Sequence, residues 1–145
     1  MSGGDVKLLP PFTEEWGQVY MNAINSSEGY AEAAESWRWP VALVVEAAPG
    51  EGITEPRAIL LELEHGTCRS ARAVSPGEAA EKADYVMEAD IATWKEVMQG
   101  RLDPVVATMQ GKVRLSKGSL MSLAPYMRAA QELVRCAGRV PTQLP

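Results

Sequence analysis

Residues 83–121 read Ala83-Asp-Tyr-Val-Met-Glu-Ala-Asp90, then Ile91-Ala-Thr-Trp-Lys-Glu-Val-Met-Gln-Gly-Arg-Leu-Asp-Pro104, then Val105-Val-Ala-Thr-Met-Gln-Gly-Lys-Val-Arg-Leu-Ser-Lys-Gly-Ser-Leu-Met121. Tyr85, Met87 and Ala89 alternate with Val86 and Glu88, the period of a strand. Asp90 is a helix N-cap and Gly100 a stop. Asp103-Pro104 is a cap followed by a first-turn proline, and Gly111 closes that second, short helix. Lys112 to Ser116 then alternates again, with Val113 and Leu115 inward. A strand, two capped helices and a strand thus follow with almost no slack. The helix positions expected to face inward are Trp94, Val97, Met98, Val105, Val106 and Met109. No polar group suited to chemistry interrupts them, so the segment reads as a wall around something apolar.

Working outward, Thr13 caps a helix whose apolar face is Trp16, Val19, Tyr20, Ala23 and Ile24. Ser27 opens a second helical stretch, with Tyr30, Ala34 and Trp37 on one side. Trp39-Pro40 ends it, because the residue before proline avoids helical backbone angles. Val41–Glu46 is a strand, Ala48–Gly52 a loop of turn formers, and Arg57–Glu64 the next strand, with Ile59, Leu61 and Leu63 on one face. His65-Gly66 turns the chain into a weaker third strand, Thr67–Val74. Ser75-Pro-Gly-Glu opens a crossover of about ten residues, the length needed to pass over a sheet. Ser119 starts the last helical region, through Leu120, Leu123, Met127, Ala130 and Val134, and Pro125 should kink or restart it. The expected boundaries are a flexible N-terminus over 1–12, one domain over 13–137 and a tail over 138–145.

Composition limits the function classes. A chain of 145 residues with 46% hydrophobic and 23% charged residues is an ordinary globular domain with a full core. The net charge of −5 excludes general nucleic-acid binding, which needs a basic footprint. The charge is uneven: residues 1–94 hold 6 Lys/Arg against 16 Asp/Glu, and residues 95–145 hold 8 against 3. The basic end reads either as a mixed surface or as a place that meets anionic head groups. Cys68 and Cys136 lack the spacing of a zinc or redox pair, and two cysteines make no disulfide framework. No basic region followed by an apolar run opens the chain, and no stretch reaches the ~20 apolar residues of a membrane span. A reducing, cytoplasmic setting is the expectation, without metal or cofactor.

The element order and the local wording together resemble the sterol carrier protein type 2 family. The matching residues are Ala83-Asp84-Tyr85 through Asp90, Trp94, Gly100-Arg-Leu-Asp-Pro104, Met109-Gln-Gly-Lys112 and Lys117-Gly118. The resemblance spans roughly Trp16 to Val134 and is sharpest over residues 83–121. It implies an α/β (α+β) fold: a five-stranded mixed sheet with helices packed on it and an apolar tunnel between them. It also implies non-catalytic binding and transfer of a sterol, fatty acid or fatty acyl-CoA. The chain departs from animal members in ending Thr-Gln-Leu-Pro instead of a peroxisomal tripeptide, and in carrying Trp37 and Trp39 before the first strand.

Five of the seven methionines lie between residues 87 and 127. By periodicity alone they read as core; with the resemblance, Met98, Met109, Met121 and Met127 read as adaptable pocket lining and Met87 as core. Trp94, Leu102, Val105, Val106, Leu120 and Leu123 complete the expected ligand wall. Lys112, Arg114 and Lys117 read as a solvated strand face or as contacts for an acyl-CoA phosphate or an anionic membrane. His65 reads as a lone surface histidine, and Glu62 with Glu64 as a solvent-facing strand pair. No phosphate loop and no Gly-x-Ser-x-Gly elbow is present, so no catalytic residue is assigned. The expected partners are a hydrophobic small molecule, with transient contact to an anionic membrane or a partner enzyme. The alternative is an accessory subunit that presents hydrophobic substrates to an enzyme, or docks on one.

Overall fold

The structure, a computed structural model, describes residues 7–145. Five strands form one sheet in the order β3-β2-β1-β4-β5: β1 is Val41–Val45, β2 Arg57–Glu64, β3 Thr67–Val74, β4 Tyr85–Ala89 and β5 Arg114–Lys117. Only the β1–β4 pair is parallel; the other neighbours are antiparallel, so the sheet is mixed as expected. All five residues of β1 are buried, which is why Val-Ala-Leu-Val-Val shows no polar alternation.

Each face of the sheet has its own cover. Val41, Leu43, Val45, Ile59, Leu61, Leu63 and Met87 belong to the larger core, under α1 (Glu14–Asn25), α2 (Glu28–Ala33), α4 (Ile91–Met98), α5 (Pro104–Met109), α6 (Leu120–Leu123) and α7 (Met127–Ala137). Ala42, Val44, Ala58, Leu60 and Val86 form a smaller core against Ala79 and Ala83, at α3 (Pro76–Lys82). The crossover after Ser75 is therefore a helix that seals the second face.

Local chemistry sets the helix starts. Side-chain oxygens of Thr13, Ser27, Ser75, Asp90, Asp103 and Ser119 each accept a backbone N–H in the first turn of the helix that follows. Around Pro125 the last helical region breaks into α6, a 3-10 turn over Ala124–Tyr126, and α7.

Three expectations need correction. The fifth strand begins at Arg114 and not at Lys112, because the Lys112 and Val113 N–H groups both close onto the Ala107 carbonyl at the end of α5. Lys112 and Arg114 therefore do not share a strand face. Residues just outside 13–137 also belong to the core: Leu9, Phe12 and Val140 are buried. Leu9 N–H donates to the Pro141 carbonyl at 2.9 Å, and Gln143 N–H donates to the Leu9 carbonyl at 2.8 Å. Trp16 Nε1 donates to Thr142 Oγ1 at 2.8 Å, which ties α1 to this paired edge. The part of the expected flexible N-terminus over residues 1–6 lies outside the described residues.

Gly66, with φ +81°, turns β2 into β3. A Cβ there would stand 2.7 Å from the Ala31 carbonyl oxygen, so both the backbone angle and the space require glycine. Gly66→Ala should lower stability to urea by about 2 kcal/mol or more. Gly50→Ala, with open space around it, should stay within about 0.5 kcal/mol of the parent. Equal midpoints for the two variants would refute this account of the turn.

Both cysteines are free and buried in the larger core. Burial pushes the Cys68 thiol up to about 11, against a smaller lowering influence of the Ser70 backbone. Burial likewise raises Cys136. Since the thiolate is the reactive form, neither should react with a disulfide reagent at pH 8 until urea unfolds the chain, when two equivalents should appear. A folded thiol raised above its unfolded value favours the fold below that unfolded value. This contribution should fade as pH climbs from about 8.5 toward 11, and urea midpoints across that range measure it.

Candidate functional site

One cleft in the larger core is almost wholly apolar. The sheet supplies its floor through Val41 of β1, Leu63 of β2, and Tyr85 and Met87 of β4. Tyr30 of α2 and Trp37, in the turn that follows it, form one side. Leu123, Tyr126, Ala129, Ala130 and Leu133 form the cover, contributed by α6, the 3-10 turn and α7. The adjacent alanines matter because a larger pair there would drive the helix off the sheet. The free volume is about 20 Å³, room for about one water. The space between sheet and cover is thus a narrow cleft.

Aromatic rings close one end of it. Trp37 lies edge-on to Tyr126 at 4.9 Å and to Trp39 at 5.0 Å, and its centroid is 5.1 Å from that of Tyr85. Its indole nitrogen donates to the Trp39 carbonyl at 2.7 Å, which fixes the ring plane. Tyr85 Oη and Ser122 Oγ are 2.9 Å apart and latch α6 to the start of β4. Gly118 makes that approach feasible: it has φ +94°, and a Cβ there would collide with the Tyr85 ring. Outside the aromatic end lies an open depression bordered by Glu32, Glu35, Arg38 and His65, which shares Trp39 and Tyr126 with the closure. The Arg38 guanidinium sits 5.5 Å above the Trp39 ring.

The residues expected to form the wall do not come together around this cleft; among them only Leu123 lines it. Trp94 is buried at the opposite end of β1, where its indole nitrogen donates to the Val44 carbonyl at 2.9 Å and its ring meets Phe12. Met98 and Val105 are buried, and Leu102 is half-buried beside a polar hollow that includes Asp103, Gln131 and Arg135. Leu120 is half-buried. Val106 and Met127 are each 43% exposed, Met109 70% and Met121 86%. The short helix explains this: over Pro104–Met109, Val105 and Ala107 turn inward while Val106 and Met109 turn out.

The three basic residues are not equivalent either. Arg114 Nη2 lies 2.6 Å from Glu88 Oε2 and 3.9 Å from Glu46, so it is internally paired. Lys117 Nζ donates to the Ala80 carbonyl at 2.8 Å. Lys112 is exposed and free of such contacts among the described residues. His65 has φ +50°, and its Nδ1 lies 2.9 Å from the Glu35 carbonyl oxygen, so it serves the β2–β3 turn.

Tyr30, Trp37, Val41, Leu63, Tyr85, Tyr126, Ala129, Ala130 and Leu133 line the cleft without being among the residues expected there. Two signals pointed that way: tryptophans clustered just before the first strand, and the alanine pair after Pro125. Chemically, the cleft offers apolar surface almost alone, which holds an apolar body by area and shape.

Comparison with known proteins agrees with this architecture. Residues 21–130 match the SCP-2 sterol transfer family. Among solved structures, a sterol carrier protein 2 is 48% identical, with a TM-score of 0.81 over 90% of this chain and 98% of that one. A conserved hypothetical protein from Thermus thermophilus is 45% identical, with a TM-score of 0.81 over 98% of this chain and 96% of that one. The apo sterol carrier protein 2 of Yarrowia lipolytica, at 14% identity and a TM-score of 0.55 over 84% of this chain and 88% of its own, shares the fold. No curated protein matches this sequence. With its mixed five-stranded sheet, its helical cover and a match over most of its length, the chain belongs to the SCP-2 sterol transfer family.

Proposed function

We propose that this protein binds and carries a lipid in the cleft between the sheet and the α2, α6 and α7 cover, without chemical change to the load. The observation that carries this reading is the cleft itself: apolar on every side, backed by two alanines, and closed by rings instead of by a polar network. Membership of a sterol transfer family supports the same class of ligand. Sterols, fatty acids and acyl-CoA thioesters all carry an apolar body of that kind. The two unpaired cysteines fit work in a reducing cytoplasm.

Loading requires the cover to move, since small-molecule sites ordinarily span ~300–1,000 Å³ and this cleft is far smaller. The forces that hold it shut are modest. The Tyr85–Ser122 hydrogen bond contributes about 1 kcal/mol net, and each aromatic contact of Tyr126 about 0.5–1.5 kcal/mol. Burying twelve methylenes of an acyl chain returns roughly 10 kcal/mol before immobilisation costs. A ligand can therefore displace the cover, and the backbone break at Pro125 is the place where it would hinge. Of the three basic residues considered for head-group contact, Lys112 is the one left available, because Arg114 and Lys117 are engaged elsewhere.

Native mass spectrometry of the purified protein, followed by organic extraction, tests the reading directly. A co-purified lipid, or saturable quenching of tryptophan emission by a fatty acid or sterol probe, is the expected result. Failure of both would remove the proposal. Ala130→Leu should fill the cleft and weaken probe binding at least ten-fold. The milder Ala129→Val should weaken it less, and both variants should keep the native circular dichroism spectrum. Tyr85→Phe should speed probe uptake by about five-fold at most, the kinetic equivalent of one net hydrogen bond, as read by stopped-flow fluorescence.

A further inference from the structure

The four large apolar residues that α5, α6 and α7 leave in solvent coincide with a stretch free of acidic residues. Val106, Met109, Met121 and Met127 account for all but Leu8 of the exposed large hydrophobics among the described residues. From Pro104 to Gln131 the sequence has no Asp or Glu, although the whole chain carries a net charge of −5. Within that stretch Arg114 and Lys117 are engaged on the α3 side of the sheet. Lys112 and Arg128 are exposed and have no ion-pair partner among the described residues.

We propose that the outward side of α5, α6 and the start of α7 is a docking face for an anionic lipid bilayer. The elements are neighbours: α5 packs on α7, and α6 runs through the 3-10 turn into α7. Val106 and Met109 are three residues apart and so share one side of α5. Methionine and valine insert into a fluid acyl boundary without needing a shaped partner, and the unpaired cations near them in the chain, Lys112 just after α5 and Arg128 next to Met127, match anionic head groups. A protein partner is disfavoured because the exposed set lacks tryptophan and tyrosine, the usual anchors of such interfaces. A two-fold contact with a second copy would confront two like-charged faces. The inference goes beyond the carrier reading and takes its purpose from it, since Leu123 and Ala129 on the inward side of the same cover line the cleft.

The test is co-sedimentation of the full chain with vesicles of phosphatidylcholine and phosphatidylglycerol in equal parts, against phosphatidylcholine alone, at low and high salt. Binding should be at least ten-fold stronger to the anionic vesicles and should fall with salt. Each cation near such a surface strengthens binding about five-fold, so Lys112→Glu with Arg128→Glu should weaken it by about 25-fold or more. Met109→Asp with Met121→Asp should also abolish most of it, with an unchanged circular dichroism spectrum. Equal binding to both vesicles, no binding, or either double variant behaving as the parent would overturn the docking face. So would a concentration-dependent dimer in sedimentation equilibrium that Met121→Asp splits. Probe binding in vesicle-free solution separates the two readings: retained without vesicle docking, it leaves the carrier standing and removes the face; lost while docking persists, it does the reverse.

Discussion

The structure hangs on the double burial of β1. Val41–Val45 has antiparallel β2 on one edge and parallel β4 on the other, and apolar cover on both faces. A parallel neighbour cannot be reached by a hairpin, so the chain must cross over the sheet before β4 begins. That crossover is α3, whose Ala79 seals the second face at small cost in volume. The other face then receives all the remaining helices. Their packing against it is good at the Trp94 end, where an indole–carbonyl hydrogen bond and the Phe12–Trp16 pair fix the rings. It is thinner at the Tyr85 end, where two alanines of α7 meet the sheet. The cleft is the result of that difference between the two ends.

Local chemistry made the element order legible. Thr13, Asp90 and Asp103-Pro104 each commit a helix start through one side-chain oxygen, and Gly66 commits a turn through its backbone angle. These signals need no tertiary partner, and the fold class follows from their order. The fifth strand slipped because its first two expected residues had a stronger local use, closing α5 onto the Ala107 carbonyl. The paired edges near Leu9 and Thr142 were illegible for the opposite reason. Their bridge joins residues at the two ends of the described chain, and no local pattern encodes it.

The candidate site was harder to read for a geometric reason. A helix of six residues makes fewer than two turns, so adjacent valines at 105 and 106 satisfy an inward face equally well in either phase. Only the packing of α5 on α7 decides between them. Methionine adds to the difficulty, because it is at home in a core, a pocket or a lipid boundary. The residues that do surround the cleft come from several separate elements and turns; Leu63, Tyr85 and Met87 carry a strand period and Tyr30 with Trp37 a helical one, but such a period marks a buried face and not a cleft. Aromatic clustering around Trp37 was the usable signal, since several large rings placed near one strand end must either fill a core or close an opening.

The cover is apolar within and carries Met121 and Met127 on its outside, and that sets the conditions for movement. Lifting α6 and the 3-10 turn in water would expose Leu123, Tyr126 and their neighbours, at about 25 cal/mol for each Å² of apolar surface uncovered. The same motion against acyl chains would carry almost no such cost, because the lining would pass from protein to lipid. The latch contributions from Tyr85–Ser122 and Trp37–Tyr126 are each of order 1 kcal/mol. They can keep the cover closed in water only because solvation of the lining adds to them. A carrier built this way would open where its load is and stay shut in transit, with no switch beyond the change of solvent at its surface.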